Sequence, residues 1–462
     1  MVKTKYLKFF FTSLVALIII FISINTYQFG AKGIYRNLFF LPLIHGILML
    51  TFFLKTNKML IYPSQYIIYI TLFVRNVITP LLILNSTIRK SITFLDTNTI
   101  NLAIFIMLYE TFVIFLLLAN KEKIIYKNTR YSFGKIICWG NVGKTIIVLS
   151  VICLMFWVFL PSIKNSYESV FNAKQLIAIA YNVDKESMMM SSRTLYTLGK
   201  MLILICRYLL TIILLFWVRK KTNKSSYGIF IALIILFLQI QFIASELIFV
   251  LYISIFVYFI TIRLWPESKR SLIFILGTLS CFGILVLAYI KSGATSWGLF
   301  RNELGTILQA YFPGVINLSA VLVLPRINII DRLFSDLYSL IPFRNSLFGL
   351  QVVNLANYFN MNNNMTGQIL PLIGESYYYF GIILSPLLSS VFVIISINAN
   401  EKMNNCKDVL HYGIYLLIMI YFSFGCVCFN FIICGQTFMN TIFPMMIICF
   451  FKDKKYLFDN LQ

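Results

Sequence analysis

Acidic residues and histidines are scarce in this sequence. Of its 462 residues only 16 are Asp or Glu and only 2 are His, and charged residues of all kinds make up 12%. A soluble domain would carry about 25% charged residues. Hydrophobic residues make up 60%, with a mean hydropathy of +0.85. This composition predicts an all-α, polytopic membrane protein: a bundle of transmembrane helices.

Several chemical signatures are also missing. No Walker-type phosphate loop occurs, which argues against ATP hydrolysis. His45 and His411 both lie in or beside apolar runs, so neither supplies a nucleophile system or a zinc site to the polar segment 291–368. That segment contains no cysteine, which excludes a disulfide framework there. No Asp-rich cluster suited to a divalent metal is present, and we expect neither a metal nor another cofactor.

The net charge of +23 is spread over short segments between apolar runs. That pattern is typical of membrane orientation and of contact with anionic membrane lipids, and we expect no nucleic-acid partner.

Apolar runs of helical length predict about twelve transmembrane helices, since about 20 residues cross ~30 Å of hydrocarbon. The run 229–262 is too long for one crossing, and basic clusters at both ends favour two short helices that turn near 239–246. The predicted spans are 9–24, 38–54, 60–84, 99–119, 145–161, 195–218, 229–244, 246–262, 271–290, 376–397, 409–428 and 431–450.

Lysine and arginine are denser in the loops on one side of this arrangement, and the positive-inside rule places that side, with both termini, in the cytoplasm. Two large segments then lie outside, 162–194 and 291–368. We divide the chain into residues 1–290 with nine helices, a long external loop 291–368, and residues 369–462 with a re-entry segment and three helices. Residues 300–324 are expected to be largely helical, kinked at Pro313-Gly314, and to lie along the outer membrane interface.

Arginines in the predicted external segments are candidates for binding an anionic substrate, because the planar guanidinium suits phosphate oxygens. The alternative is structural: Arg332 would pair with Asp331 or Asp336, and the others with Glu303 or lipid headgroups. Both interpretations stay open from the residues alone. The external arginines are Arg193, Arg301, Arg326, Arg332 and Arg344.

Arg75, Arg207 and Glu110 fall near the middle of predicted spans, where charge is costly and rarely faces lipid. One interpretation is an internal ion pair between Glu110 and either arginine. The other is an arginine that lines the floor of a cavity open to the outside.

Glu375 follows Gly374 at the start of the tenth predicted span. It is either a first-turn carboxylate that complements the helix dipole, worth ~0.3–1 kcal/mol, or a general base that faces an external cavity. Tyr311 and the run 377–379 are suited to stacking on sugar rings, although such residues more often form an interfacial belt.

Two stretches resemble recurrent patterns of a known family. Residues 365–381 contain a Gly-acidic step followed by an aromatic-Gly step, and residues 311–318 contain an aromatic-Gly-x-x-Asn stretch. Together with 10 to 14 spans and one long external loop in the C-terminal half, these features resemble the bacterial O-antigen and capsule repeat-unit polymerases, the Wzy family.

The resemblance implies a metal- and nucleotide-independent membrane glycosyltransferase in the bacterial plasma membrane. It would join oligosaccharide repeat units carried on undecaprenyl diphosphate, at the outer leaflet, alongside a flippase and a chain-length regulator. On this sequence, the resemblance implies Glu375 as the base and Arg301 as a second catalytic group. Diphosphate and sugar contacts would come from Arg193, Arg326, Arg344, Arg207, Arg75, Tyr311 and Asn317.

Three alternatives remain from the sequence. An O-antigen ligase would be expected to carry a histidine in the long external loop, and residues 291–368 contain none. A flippase for the same lipid-linked sugar would be expected to have short loops on both faces. A non-catalytic lipid-binding or assembly protein is the third.

Overall fold

The computed structural model describes residues 13–25, 33–55, 62–84, 95–120, 190–222, 224–241, 247–268, 296–342, 353–363, 368–406 and 408–449, with separate positions between 147 and 159. Throughout these residues the regular structure is helical and no strand occurs, which confirms the predicted all-α class.

We number the described helices in chain order. They are α1 (Ser13–Asn25), α2 (Phe40–Lys55), α3 (Pro63–Leu84), α4 (Thr97–Asn120), α5 (Met190–Lys221), α6 (Ser225–Gln241), α7 (Leu247–Leu264), α8 (Trp297–Tyr311), α9 (Val315–Leu322), α10 (Ile329–Ser339), α11 (Leu355–Asn363), α12 (Leu372–Phe380), α13 (Leu387–Asn405), α14 (Val409–Cys428) and α15 (Phe431–Cys449).

Within the described residues, six helical stretches are long and apolar enough to cross a membrane, as expected of a helical membrane protein. They coincide with six of the predicted spans, whereas α1, α6 and α7 are shorter apolar helices. The predicted span 271–290 lies outside the described residues, and 145–161 is described only at separate helical positions, so the total of twelve stays a prediction. The six stretches are Tyr35–Phe52, Pro63–Leu84, Thr97–Asn120, Thr197–Lys221, Val409–Cys428 and Phe431–Cys449.

The long apolar run 229–262 forms two helices, as predicted. α6 ends at Gln241 and α7 begins at Leu247. The start of α6 touches the end of α7, because a Cβ built at Gly228 would lie 2.6 Å from Cδ2 of Trp265. The two helices therefore run side by side, and the basic residues that flank the pair lie at the same end.

The tenth predicted span is not one helix. α12 ends at Phe380, and Gly381 takes a φ of 81°, a left-handed conformation that glycine adopts without steric cost. A turn then leads to Pro386, and α13 starts at Leu387. A proline ring clashes with the carbonyl four residues earlier in a helix, so a continuous helix over 376–397 is excluded.

The segment predicted as a long external loop is largely helical, from α8 to α11. Residues 300–324 form α8 and α9 with a break at Phe312 to Gly314, which confirms the predicted helices and kink. The expected interfacial position of these helices stays a prediction, and α9 is buried within the bundle. Its residues Val315 and Leu318 are buried with Ile104 of α4 and Ile373 of α12, because almost every side chain of this short helix is apolar and packs inside the bundle.

α14 is the centre of the bundle, with 17 of its 20 residues buried. At its start, Arg263 donates to the carbonyl of Cys406, next to the basic ends of α5 and α7. At its far end, about 30 Å along a 20-residue helix, the start of α15 meets α12. The basic clusters and the α10–α12 region thus lie at opposite ends of the bundle. Which end faces the cytoplasm stays a prediction.

Candidate functional site

The chain between α9 and α10 is fixed onto α12. The hydroxyl of Tyr378 donates to the carbonyls of Pro325, at 3.2 Å, and Ile327, at 3.3 Å. Asn328 ends this connection with a φ of 51°, a left-handed conformation that asparagine tolerates better than most residues. These contacts hold Arg326 at the surface beside α12.

Arg326 and Arg332 are each fixed by an aromatic ring and one backbone carbonyl. Arg326 lies 4.4 Å from the ring centroid of Tyr377 and donates to its carbonyl at 2.7 Å. Arg332 lies 4.1 Å from the ring centroid of Tyr358 and donates to the carbonyl of Val353 at 2.7 Å. A guanidinium has five N–H donors, so each arginine keeps several for a ligand.

Neither arginine forms an ion pair with a carboxylate of the described residues. The interpretation that Arg332 pairs with Asp331 or Asp336 is therefore wrong at salt-bridge distance. Asp331 is exposed, and Asp336 is enclosed by other donors. What remains is a pair of positioned cations at the surface.

Beneath these arginines lies a buried carboxyl pair, Asp336 of α10 and Glu375 of α12, both fully buried. Asp336 accepts hydrogen bonds from the Tyr379 hydroxyl and, at 2.8 Å, from the Leu355 amide. Glu375 Oε2 accepts from the Phe431 amide at 2.7 Å. Each carboxyl thus meets the first residue of another helix, α11 or α15, where helix dipoles favour negative charge. Glu375 Oε1 finds no donor among the residues described.

Burial raises the pKa of Glu375 well above its usual value, and the neighbouring charge of Asp336 raises it further. Burial also raises the pKa of Asp336, although hydrogen bonds from Tyr379 and Leu355 and the nearby Arg332 oppose that shift. Two adjacent buried carboxylates cannot both ionise readily. The pair therefore holds a proton on Glu375 at a pH where an exposed glutamate has lost it.

This proton makes stability depend on pH in a defined direction. The folded state keeps the proton of Glu375 above the ordinary glutamate pKa of about 4.3, so we expect stability to fall as the pH rises from there through the folded pKa. Glu375→Gln keeps an acceptor for the Phe431 amide but does not titrate. Groups facing the pair are Tyr379, Cys434 and Arg332.

The measurement is the melting temperature of purified protein between pH 4 and 9. We expect the melting temperature of the wild type to fall with rising pH and that of Glu375→Gln to fall clearly less. Glu267→Gln, at an exposed carboxylate, is expected to follow the wild type. Equal slopes in wild type and Glu375→Gln would contradict the shared proton.

A second buried cluster of polar side chains connects the helices α3, α4 and α13. Arg75 of α3 forms an ion pair with Glu110 of α4, and Glu110 also accepts a hydrogen bond from Ser389 of α13. The next residues along both helices pair too, since the side-chain amide of Asn76 donates to the Thr111 hydroxyl at 2.8 Å. A π-helical turn over Val74–Ile78 widens α3 there, so that the adjacent residues Arg75 and Asn76 both reach α4. Of the two interpretations of Glu110, the structure contains the ion pair with Arg75.

The remaining predicted residues that the structure describes each have structural partners of their own. Arg207 binds Gln239, through its side chain at 2.6 Å and its carbonyl at 2.5 Å. Asn317 is buried and donates to the Ile369 carbonyl at 2.9 Å, which fixes α9 to the re-entry segment. Tyr311 packs against the main apolar core.

Three predicted arginines fall outside the described side chains. Arg344 lies outside the described residues altogether. Arg301 lies within α8, and Arg193 lies at the start of α5 rather than in a loop, but their side chains are not described. Of the predicted set, the structure brings Arg326 and Glu375 together on α12 and its neighbouring loop.

The sequence analysis missed Asp336 as a site residue and considered it only as an ion-pair partner of Arg332. It included Arg332 among the candidate arginines, and Tyr379 only within an aromatic run suited to sugar rings. Asp336 lies on a helix whose apolar residues recur at 330, 334, 337 and 341, a pattern that predicts an inward apolar face and an exposed aspartate. The signal in the sequence that could have indicated this site was the run of three consecutive tyrosines, ending at Tyr379, shortly after the Gly-acidic step. Each tyrosine of that run has a different partner: Arg326, Pro325 and Asp336.

The fold and this site define an all-helical protein with several candidate membrane spans and, at one end, positioned arginines above a buried carboxyl pair. Comparisons of the chain with protein-family models, with curated proteins and with solved structures found no match.

Proposed function

We propose that the chain is a polymerase that joins oligosaccharide repeat units carried on undecaprenyl diphosphate, at the outer leaflet of a bacterial plasma membrane. The observation that carries this proposal is the presence of two positioned arginines, Arg326 exposed and Arg332 partly exposed, near a buried carboxyl pair in the α10–α12 region, at the end of the bundle opposite the basic clusters. The arginines suit an anionic lipid-linked substrate, and the carboxyl pair suits proton transfer.

In this proposal the arginines hold the diphosphate. The acceptor sugar hydroxyl attacks the anomeric carbon of the donor glycan, the carbon–oxygen bond to the diphosphate breaks, and the diphosphate leaves with that electron pair. Negative charge grows on the leaving group in the transition state, and preorganised cations stabilise it. Arg326 and Arg332 keep N–H donors that are available to a ligand. Contacts with a tyrosine ring and a backbone carbonyl fix each guanidinium before substrate binds. Arg301, Arg344 and Arg193 stay candidates for the same role.

The attacking hydroxyl must lose its proton, and the ionised form of Glu375 is the proposed base. A buried glutamate with a raised pKa is suited to this task because its pKa moves toward the operating pH. The carboxyl pair reaches the surface through Tyr379, which is partly exposed and donates to Asp336. We therefore include Tyr379 and Asp336 in the route by which the proton reaches Glu375.

Deletion of the gene separates this proposal from its main alternative. We expect the deletion strain to lose the polysaccharide ladder on gels and to accumulate single lipid-linked repeat units that are accessible from outside the plasma membrane. If the chain were a flippase instead, the units would stay on the cytoplasmic side. A normal ladder would contradict the proposal.

Glu375→Gln tests the base within the same assay. The amide can accept the Phe431 amide hydrogen bond but cannot take up a proton, so we expect at least a hundredfold loss of polymer-forming rate at matched protein level, within the 10²–10⁴ range of general base catalysis. Glu267→Gln is the matched control at an exposed carboxylate. Normal ladders from Glu375→Gln would return this residue to the helix-dipole role.

A further inference from the structure

α10 has an apolar face that the rest of the described chain leaves uncovered. Ile330 is 69% exposed, Phe334 66% and Leu337 44%, and Ile341, just beyond the helix, is 40% exposed. Spacings of four, three and four residues put these side chains on one face. The opposite face is buried and polar, with Asp336 and Ser339. The helix is therefore amphipathic with its apolar side directed away from the rest of the described chain.

Contacts with α15 place the end of α10 near the start of that candidate membrane span. Gln436 of α15 donates to the Ser339 carbonyl at 3.0 Å. A Cβ built at Gly435 would lie 2.5 Å from Cδ2 of Leu340, so the end of α10 presses against the backbone of α15. Gln436 is five residues into a candidate span that begins at Phe431, or about 7.5 Å at 1.5 Å per residue. Interfacial helices lie about 5–10 Å into the headgroup boundary.

The size and flanking charge of this face favour lipid as its occupant. A helix of 11 residues is about 16 Å long, and a few side chains fall well short of the about 800 Å² per partner of a stable protein interface. Its neighbour α15, a candidate span, also has exposed apolar residues, Phe443 and Met446. Arg326, three residues before α10, is exposed and able to meet lipid phosphates.

We propose that α10 is an interfacial helix whose Ile330, Phe334 and Leu337 insert among the acyl chains of membrane lipids. This inference holds whether or not the chain is a polymerase, because it depends only on α15 crossing the membrane. It assigns to α10 the interfacial position that the sequence predicts for residues 300–324.

Photo-crosslinking in intact membranes tests this occupant. The photoreactive residue p-benzoylphenylalanine replaces Phe334 or Ile330 of the full-length chain, and mass spectrometry of the digested protein detects what has been captured. Position 443 on α15 is the lipid-facing positive control, and Asn362, exposed on α11, is the matched polar control. We expect phospholipid adducts at 334 and 330 at least tenfold above those at 362.

Two outcomes would overturn the proposal. A covalent dimer or another protein adduct at 334 and 330 would mean that a protein covers this face. Adducts at 443 but none at 334 or 330 would mean that α10 lies in water. Both positions are exposed, so these substitutions leave the core intact, and either one alone gives the readout.

Discussion

Glu110→Ala is expected to lower the free energy of unfolding by about 3–5 kcal/mol, because removal of one partner of a buried ion pair leaves the other charge buried without compensation. Arg75 is 1% exposed, and its ion-pair partner among the described carboxylates is Glu110. The same change removes the acceptor of the Ser389 hydroxyl. Three helices, α3, α4 and α13, meet at this one carboxylate.

The measurement is reversible unfolding of the purified protein in mixed micelles. Glu267→Ala removes an exposed carboxylate and is expected to stay within about 0.5 kcal/mol of the wild type. The double change Arg75→Met with Glu110→Leu is expected to recover most of the loss, since apolar replacement of a whole buried pair is often neutral or stabilising. A loss below about 1 kcal/mol for Glu110→Ala would contradict this account of the cluster.

The sequence predicts helices well here because an apolar run of about 20 residues has one stable form in a bilayer. α3, α4, α14 and α15 begin and end within three residues of the predicted spans. The two-helix form of 229–262 was also predictable, since one helix of that length exceeds the membrane thickness. The break after α12 was predictable in principle from Gly381 and Pro386, but the apolar composition of 376–397 outweighed those local signals.

The candidate site was only partly predictable, because it depends on contacts between distant segments. Glu375 stood out through its Gly-acidic step, but its partner Asp336 lies 39 residues earlier, and no local pattern links the two. α10 shows the second limit. Periodicity gives the two faces of an amphipathic helix but not which one turns inward, and in α10 the polar face is the buried one. Pairing across long sequence separations requires the folded chain.

Arg326→Ala is expected to reduce the rate of polymer formation by roughly 10²–10³, or ~2.7–4 kcal/mol, as the loss of one donor to a developing charge does in other enzymes. Arg326 is exposed and stacked on Tyr377, and it uses one N–H on a backbone carbonyl, which leaves a fixed fork for the diphosphate. Arg326→Lys should also lower the rate, because an ammonium group offers no parallel donors. Arg332→Ala is expected to act in the same direction.

Arg263→Ala is the matched control, because Arg263 also lies over a tyrosine ring, that of Tyr412 at 5.4 Å, and donates to a backbone carbonyl, that of Cys406. It lies at the opposite end of the bundle, so its loss removes the same kinds of contact without touching the proposed site. Polymer ladders from membranes with equal protein levels are compared. We expect ladders from Arg263→Ala and none from Arg326→Ala. Normal ladders from both Arg326→Ala and Arg332→Ala would leave lipid headgroups, rather than the transferred diphosphate, as the partners of these arginines, because a headgroup contact alone adds nothing to the transition state.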